Sequence, residues 1–225
     1  QFSTRMAQAD AMAQPPAMEH RWSGCRVGIT GARGALGQAL ARRFHSAGAM
    51  VTGFTHGTPP VDSDGPVHHW VQWSCGAEAE LEPHVTDLDR LVLNHGINPH
   101  GDQSSAALDK ALAVNALSSW QLLQCCERIA ATSSENKLLE VWVNTSEAEI
   151  QPAVSPAYEV SKRLLGQLVS LRGATRSPQE RSRLVLRKLV LGPFRSELNP
   201  IGVMSADFVA GQILWQTSIG ARLVI

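Results

Sequence analysis

The stretch "TGARGALG", Thr30 to Gly37, constrains this chain more than any other part of it. It follows the apolar run "CRVGIT" and precedes Leu36, Ala39, Leu40, Phe44 and Ala47, which share one helical face. Glycines at 31, 34 and 37 let the backbone turn tightly and approach a pyrophosphate, whose charge the free N–H groups at the helix start then meet. Gly48 closes the helix and "AMVTGFT" supplies a second strand, so the segment reads as a compact βαβ unit. Spaced glycines also serve ordinary turns, but strand, loop and helix in this order favour a dinucleotide cradle.

The same alternation continues. Apolar runs at 67–73, 91–94, 139–145, 184–191 and the terminal "RLVI" read as strands. Helical spacing covers 105–131, 156–171 and 206–215. The expectation is one α/β domain over residues 24–225, a Rossmann-type doubly wound parallel sheet of about seven strands with helices on both faces. Residues 1–23, rich in Ala, Gln, Met and Pro, are expected to form a flexible tail. Twenty basic and twenty acidic residues cancel, so no overall charge draws the chain to nucleic acid or anionic lipid. No apolar run reaches the roughly 20 residues of a membrane span, and no signal peptide is evident. A cytoplasmic protein without membrane insertion is expected. Cys25, Cys75, Cys125 and Cys126 lack zinc-site spacing and read as reduced, buried thiols.

An acid at the end of the second strand would hold the ribose of NAD and repel a 2′-phosphate. This chain has Thr55 and His56 there, with Arg33 available from the glycine loop, so NADP(H) is expected over NAD(H). In "SPAYEVSK", Ser155 reads as a helix N-cap and Pro156 as the first helical position. That puts Tyr158, the only tyrosine, one turn before Lys162 on the same face. A nearby ammonium favours the phenolate and lowers the tyrosine pKa, making the pair a general acid/base.

These segments, with "LNHG" at 93–96, Asn115 in "AVNALSSW" and "VNTS" at 143–146, resemble the short-chain dehydrogenase/reductase family from about Cys25 onward. The resemblance implies an NAD(P)-dependent oxidoreductase moving hydride between nicotinamide and a carbonyl or alcohol. It assigns proton transfer to Tyr158, and assigns lowering of the tyrosine pKa and binding of the nicotinamide ribose to Lys162. It further gives substrate orientation to Ser146 and a water-held proton relay to Asn115. Thr30, Gly31, Arg33, Gly34, Ala35, Leu36, Gly37, Thr55, His56, Asn94, Gly96, Gly192 and Pro193 would complete the cofactor site. The glycine loop follows the Gly-x-x-Gly-x-x-Gly form of atypical and extended members. Ser146 stands one position closer to the tyrosine than is usual in the family, leaving Thr145 as an alternative. Glu147 is unusual, and the third strand ends in "WSCG" without the aspartate of many relatives. "EVWVNTSEAEIQPAVSPAYEVSKR" is also similar to a cyanobacterial group in which such a domain is joined to a sterol desaturase-like membrane domain, which implies a lipid aldehyde or sterol-like ketone as substrate.

His68 and His69 would point to opposite faces of a strand and so could not share a metal; no metal site is expected. His95 lies near the cleft. Arg195, Asn199 and Met204 fall in the segment that covers substrate in relatives. Apolar residues around "WQLLQCCERIAA" and on the helix after Tyr158 suggest a homodimer or tetramer. The competing function is a catalytically weak NADP(H)-binding sensor or scaffold.

Overall fold

The computed structural model describes residues 22–60, 65–133 and 137–224. Among the described residues, seven strands form one sheet: β1 (Arg26–Thr30), β2 (Met50–Thr55), β3 (His69–Gln72), β4 (Arg90–Leu93), β5 (Leu139–Ser146), β6 (Leu184–Leu191) and β7 (Leu223–Val224). Their order is β3-β2-β1-β4-β5-β6-β7 and every pairing is parallel. The chain winds outward from β1 to β3, then returns to β4 on the other side of β1. That reversal opens a crevice at the carboxyl ends of β1 and β4, where such sheets bind ligands.

Strand residues divide between the faces with period two. Val92 and Trp142 enter one core with Leu36, Leu40 and Phe44 of α1 (Ala35–Ser46) and Ile213 of α7 (Ala206–Ser218). Their neighbours Leu91, Leu93, Val141 and Val143 enter the other, with Val85 of α2 (Glu82–Val85), Leu122 and Leu123 of α4 (Ser119–Thr132), and Leu165 of α5 (Pro156–Thr175). Burial on both faces explains why the central strands are continuously apolar rather than alternating. A buried side chain of this size contributes about 1.5–3 kcal/mol.

Residues 1–21 of the expected tail lie outside the described residues. Trp22, inside the same expected span, is only 1% exposed. Its ring meets Phe44 and Trp142 edge-on at 5.3 and 5.8 Å, and the Arg90 guanidinium lies 4.4 Å from it. The folded unit thus includes at least two residues before Gly24.

Helical spacing over 105–131 predicts one helix, but the structure shows α3 (Ser105–Ala111), a wide π-helical segment at Leu112–Ser118, and then α4. The extra width turns Asn115 inward, where it is fully buried. Two short helices have no counterpart among the expected elements: α2 and α6 (Pro178–Arg183).

Candidate active site

The floor of the crevice is a knot of backbone and small side chains. The Thr30 hydroxyl donates to the Val92 carbonyl (3.3 Å) and accepts from the Asn94 and His95 N–H groups (2.8 and 3.3 Å), tying β1 to the end of β4. Gly31 follows at φ +62°, and a Cβ there would lie 2.9 Å from the His95 Cα. The His95 ring is buried between Thr30 Oγ1 (2.8 Å) and Ser118 Oγ (3.2 Å), and its edge meets Trp73. Burial, reinforced by His56 and Lys162, lowers its pKa to about 3, so at neutral pH the imidazole is uncharged and structural.

Gly37 closes the loop. A side chain there would overlap the Gly31 carbonyl and approach the Ala32 Cα to 2.8 Å, so α1 can sit this close to the turn only without one. The first intrahelical bond shown runs from Gln38 N–H to the Gly34 carbonyl; the N–H groups of Ala35, Leu36 and Gly37 precede it. No side chain caps this terminus and its first turn holds no acid. Such an end, reached through backbone that a Cβ would block, fits a pyrophosphate. Leu36 is itself a core side chain, so only its amide faces this site. Beyond β2, Thr55 is buried and accepts from the Gly57 N–H (3.3 Å), while the His56 ring stacks on Trp73. The exposed Arg33 guanidinium reaches the same corner, donating to the Thr58 carbonyl (3.1 Å) and lying 2.7 Å from where a Gly57 Cβ would stand. Of the residues expected to select the dinucleotide, Arg33 and His56 are exposed and Thr55 is not.

On the other side of the crevice, Tyr158 opens α5 and Lys162 lies buried one turn on, its Nζ 5.8 Å from the tyrosine ring centroid. Lys162 donates to the Asn144 carbonyl (3.5 Å); the Asn144 amide donates to Asn94 Oδ1 (2.8 Å). A Cβ on Gly96 would stand 3.1 Å from Asn115 Oδ1 and 3.7 Å from Lys162 Nζ, so this glycine leaves room for both. Asn115 straps the crevice. It accepts from the Ile97 N–H (2.7 Å) and donates to the Ile97 carbonyl and the Ser161 hydroxyl (both 2.9 Å). Both its amide protons are thus engaged by protein, leaving only an Oδ1 lone pair for the expected water.

Thr145 and Ser146 both line the cleft that holds Tyr158, but they are bonded differently. Thr145 donates back into the sheet, to the Leu189 carbonyl (3.3 Å), whereas the Ser146 hydroxyl accepts from the Ala148 N–H (3.2 Å) and faces the cleft beside Tyr158. The expected lowering of the tyrosine pKa is not found in this arrangement. Burial raises it, the Glu147 carboxylate raises it further, and the Ser146 hydrogen bond only partly opposes them. Lys162 is lowered to about 8 by its own burial, against the pull of Glu149. The Glu149 carboxylate pairs with Lys188 (2.5 Å) and occupies the space that a side chain on Gly166 would need.

Ser155 marks the start of α5 as its position predicts, but its hydroxyl makes no capping bond; it is buried and without a partner. It lines a cleft of about 570 Å³ together with Ser146, Glu147, Tyr158 and, from the segment after β6, Gly192 and Pro193. Gly192 leaves space for Met204, whose methyl would lie 3.0 Å from an added Cβ, and the Pro193 carbonyl accepts from Val203 and Met204. Asn199 also lines the cleft, while Arg195 does not. His68 turns to the Val51 N–H and His45, and His69 to His84, away from one another and from the cleft.

A doubly wound parallel sheet, a glycine cradle at its switch point and a tyrosine–lysine pair across the crevice define a nicotinamide-dinucleotide enzyme of the short-chain dehydrogenase type. The model of the NAD dependent epimerase/dehydratase family matches residues 27–180, and the chain belongs to that family. It is 39% identical over 207 residues to the monoglucosyldiacylglycerol epimerase of Synechocystis sp., covering 90% of this chain and 49% of that protein; the chain thus spans about half the length of this curated relative. Among solved structures, a short chain dehydrogenase from Burkholderia cenocepacia in complex with NADP superposes with a TM-score of 0.78 at 17% identity, over 90% of this chain and 88% of that one. One from Sphingobium yanoikuyae in complex with NADPH gives 0.76 at 17%, over 89% and 87%. The chain is an NAD(P)-dependent enzyme.

Proposed function

We propose that the chain is an NADP(H)-dependent oxidoreductase in which Tyr158 exchanges a proton with a secondary alcohol or ketone, and that the reacting carbon belongs to the sugar of a glycosylated diacylglycerol. The observation that carries the first part is that Tyr158 and Ser146 line one cleft, with the buried Lys162 Nζ 5.8 Å from the tyrosine ring. The 39% identity to an enzyme named for monoglucosyldiacylglycerol supports the second.

Ala35, Leu36 and Gly37 would offer their amides to the pyrophosphate, Arg33 the 2′-phosphate contact, and Lys162 the ribose contact. When bound, the nicotinamide supplies the acceptor and donor of hydride. The protein moves the proton. Ser146 and Tyr158 hold the substrate oxygen; in the oxidising direction the Tyr158 phenolate takes the hydroxyl proton, and in the reducing direction the phenol returns one to the ketone oxygen. Its raised pKa keeps the proton on the phenol at neutral pH, ready for reduction. An epimerase of this kind oxidises a sugar carbinol to a ketone and reduces it again on the opposite face, so the cycle consumes no net dinucleotide. A second copy of the chain is the proposed protein partner, against the exposed Leu117, Val160 and Leu171.

The test is Tyr158→Phe assayed on detergent-dispersed monoglucosyldiacylglycerol with NADPH titrated separately. Turnover is expected to fall by about 10²–10⁴-fold with NADPH affinity nearly unchanged. Full turnover in the variant would remove Tyr158 from the chemistry, and tighter NADH than NADPH binding would remove Arg33 from its role.

A further inference from the structure

Two segments flank the mouth of the cleft, 147–155 before α5 and 193–204 after β6. Each carries an aliphatic residue that lines the cleft yet stands almost wholly in solvent: Val154 is 98% exposed and Ile201 is 89%. Ile150 and Val203, in the same two segments, are 68% and 79% exposed. Single exposed aliphatics are ordinary, but four on the two segments that border one opening are not explained by packing. Inside the cleft, Ser146, Glu147, Tyr158 and the unpartnered Ser155 hydroxyl stand among apolar residues such as Leu191, Phe194 and Leu198. The opening thus offers a few polar groups within and carries exposed aliphatics at its lip.

We propose that this lip seats on a lipid bilayer, so that a sugar headgroup reaches Ser146, Glu147, Tyr158 and Ser155 in the cleft while its acyl chains stay in the membrane. The proposal rests on the glycolipid reading above. Its physical reason is that a diacylglycerol leaving the bilayer exposes every methylene of two chains to water, so an enzyme acting on its headgroup gains by bringing the cleft to the surface. The charged residues among 147–155 and 193–204 are Glu147 and Glu149, which face the cleft and Lys188, and Arg195 and Glu197, whose charges cancel. A neutral bilayer suits this lip; no described helix is long and apolar enough to cross a membrane.

Flotation of residues 1–225 with phosphatidylcholine vesicles, with and without monoglucosyldiacylglycerol, tests this. Wild-type protein is expected to float, and Val154→Asp with Ile201→Asp to reduce the bound fraction about tenfold. NADPH affinity serves as the folding control, because neither residue touches the dinucleotide side. Equal flotation of the two proteins, or no flotation of wild type, overturns the proposal. So does light scattering that finds wild type dimeric and the double variant monomeric, which would make the lip a contact between copies. Vesicle binding needs no turnover; if binding holds while Tyr158→Phe stays fully active, the assignment of chemistry fails and the lip stands.

Discussion

The dinucleotide side of the crevice and the substrate side are built on opposite principles. On the first, Thr30, Gly31, Gly37 and His95 are locked together by buried hydrogen bonds and by backbone contacts too close for an extra carbon. On the second, Ser155 Oγ and Asn144 Oδ1 are buried without partners, and Val154 stands in solvent at the edge. The close-packed half must present one fixed ligand shape. The looser half keeps polar groups unspent, which is what a varied substrate requires of it.

If that contrast is right, Gly37→Ala should do the most damage, since its Cβ collides with backbone. A loss of about 3 kcal/mol, read by thermal unfolding, and loss of NADPH binding are expected. A variant as stable as wild type would show the loop able to yield. His95 sharpens the same side. Its folded pKa of about 3 lies below the ordinary 6.5, so below pH 6.5 the unfolded chain binds a proton the folded one refuses. Stability present above pH 6.5 is then lost as pH falls toward 3, by about 2 kcal/mol at pH 5. Denaturant unfolding at pH 7 and pH 5 should show His95→Gln losing this much less than wild type between the two. At the rim of the cradle, Arg33→Ala should cut the preference for NADPH over NADH about tenfold, measured by titration of each. The smallest effect belongs to the open half. Ser155→Ala removes no bond within the protein, so stability should move by less than about 0.5 kcal/mol while KM for the glycolipid rises several-fold. A destabilised Ser155→Ala would mean that its hydroxyl is already satisfied, and the contrast would weaken.

Legibility in the sequence follows the same division. The glycine spacing and the apolar runs located the sheet, and β6 emerged with the bounds its sequence predicts, because its apolar residues on either side of Arg187 and Lys188 mark both ends. Tyr158 and Lys162 were legible because a helix start fixes which residues share a face. The helix α6 was missed, although its cap carried a signal: Ser177 and Glu180 exchange side-chain and backbone bonds, a pattern of Ser-x-x-Glu visible at 177–180. The π segment was not legible, because apolar periodicity does not register one added backbone position within a helix. Nor was the direction of the Tyr158 pKa shift, which depends on how deeply loop 147–155 buries the phenol rather than on the spacing of its lysine.

The wide turn at Leu112–Ser118 has a consequence for how this protein can change. Its surplus residue aims Asn115 at the Ile97 backbone and at Ser161. Deleting one residue of that segment other than Asn115 would let α3 and α4 merge into a regular helix, improving local hydrogen bonding while swinging Asn115 about a quarter-turn relative to one of its flanking helices. If Asn115 serves the proposed relay, a shorter and locally sounder chain would be the poorer catalyst, its cost one of aim rather than of folding.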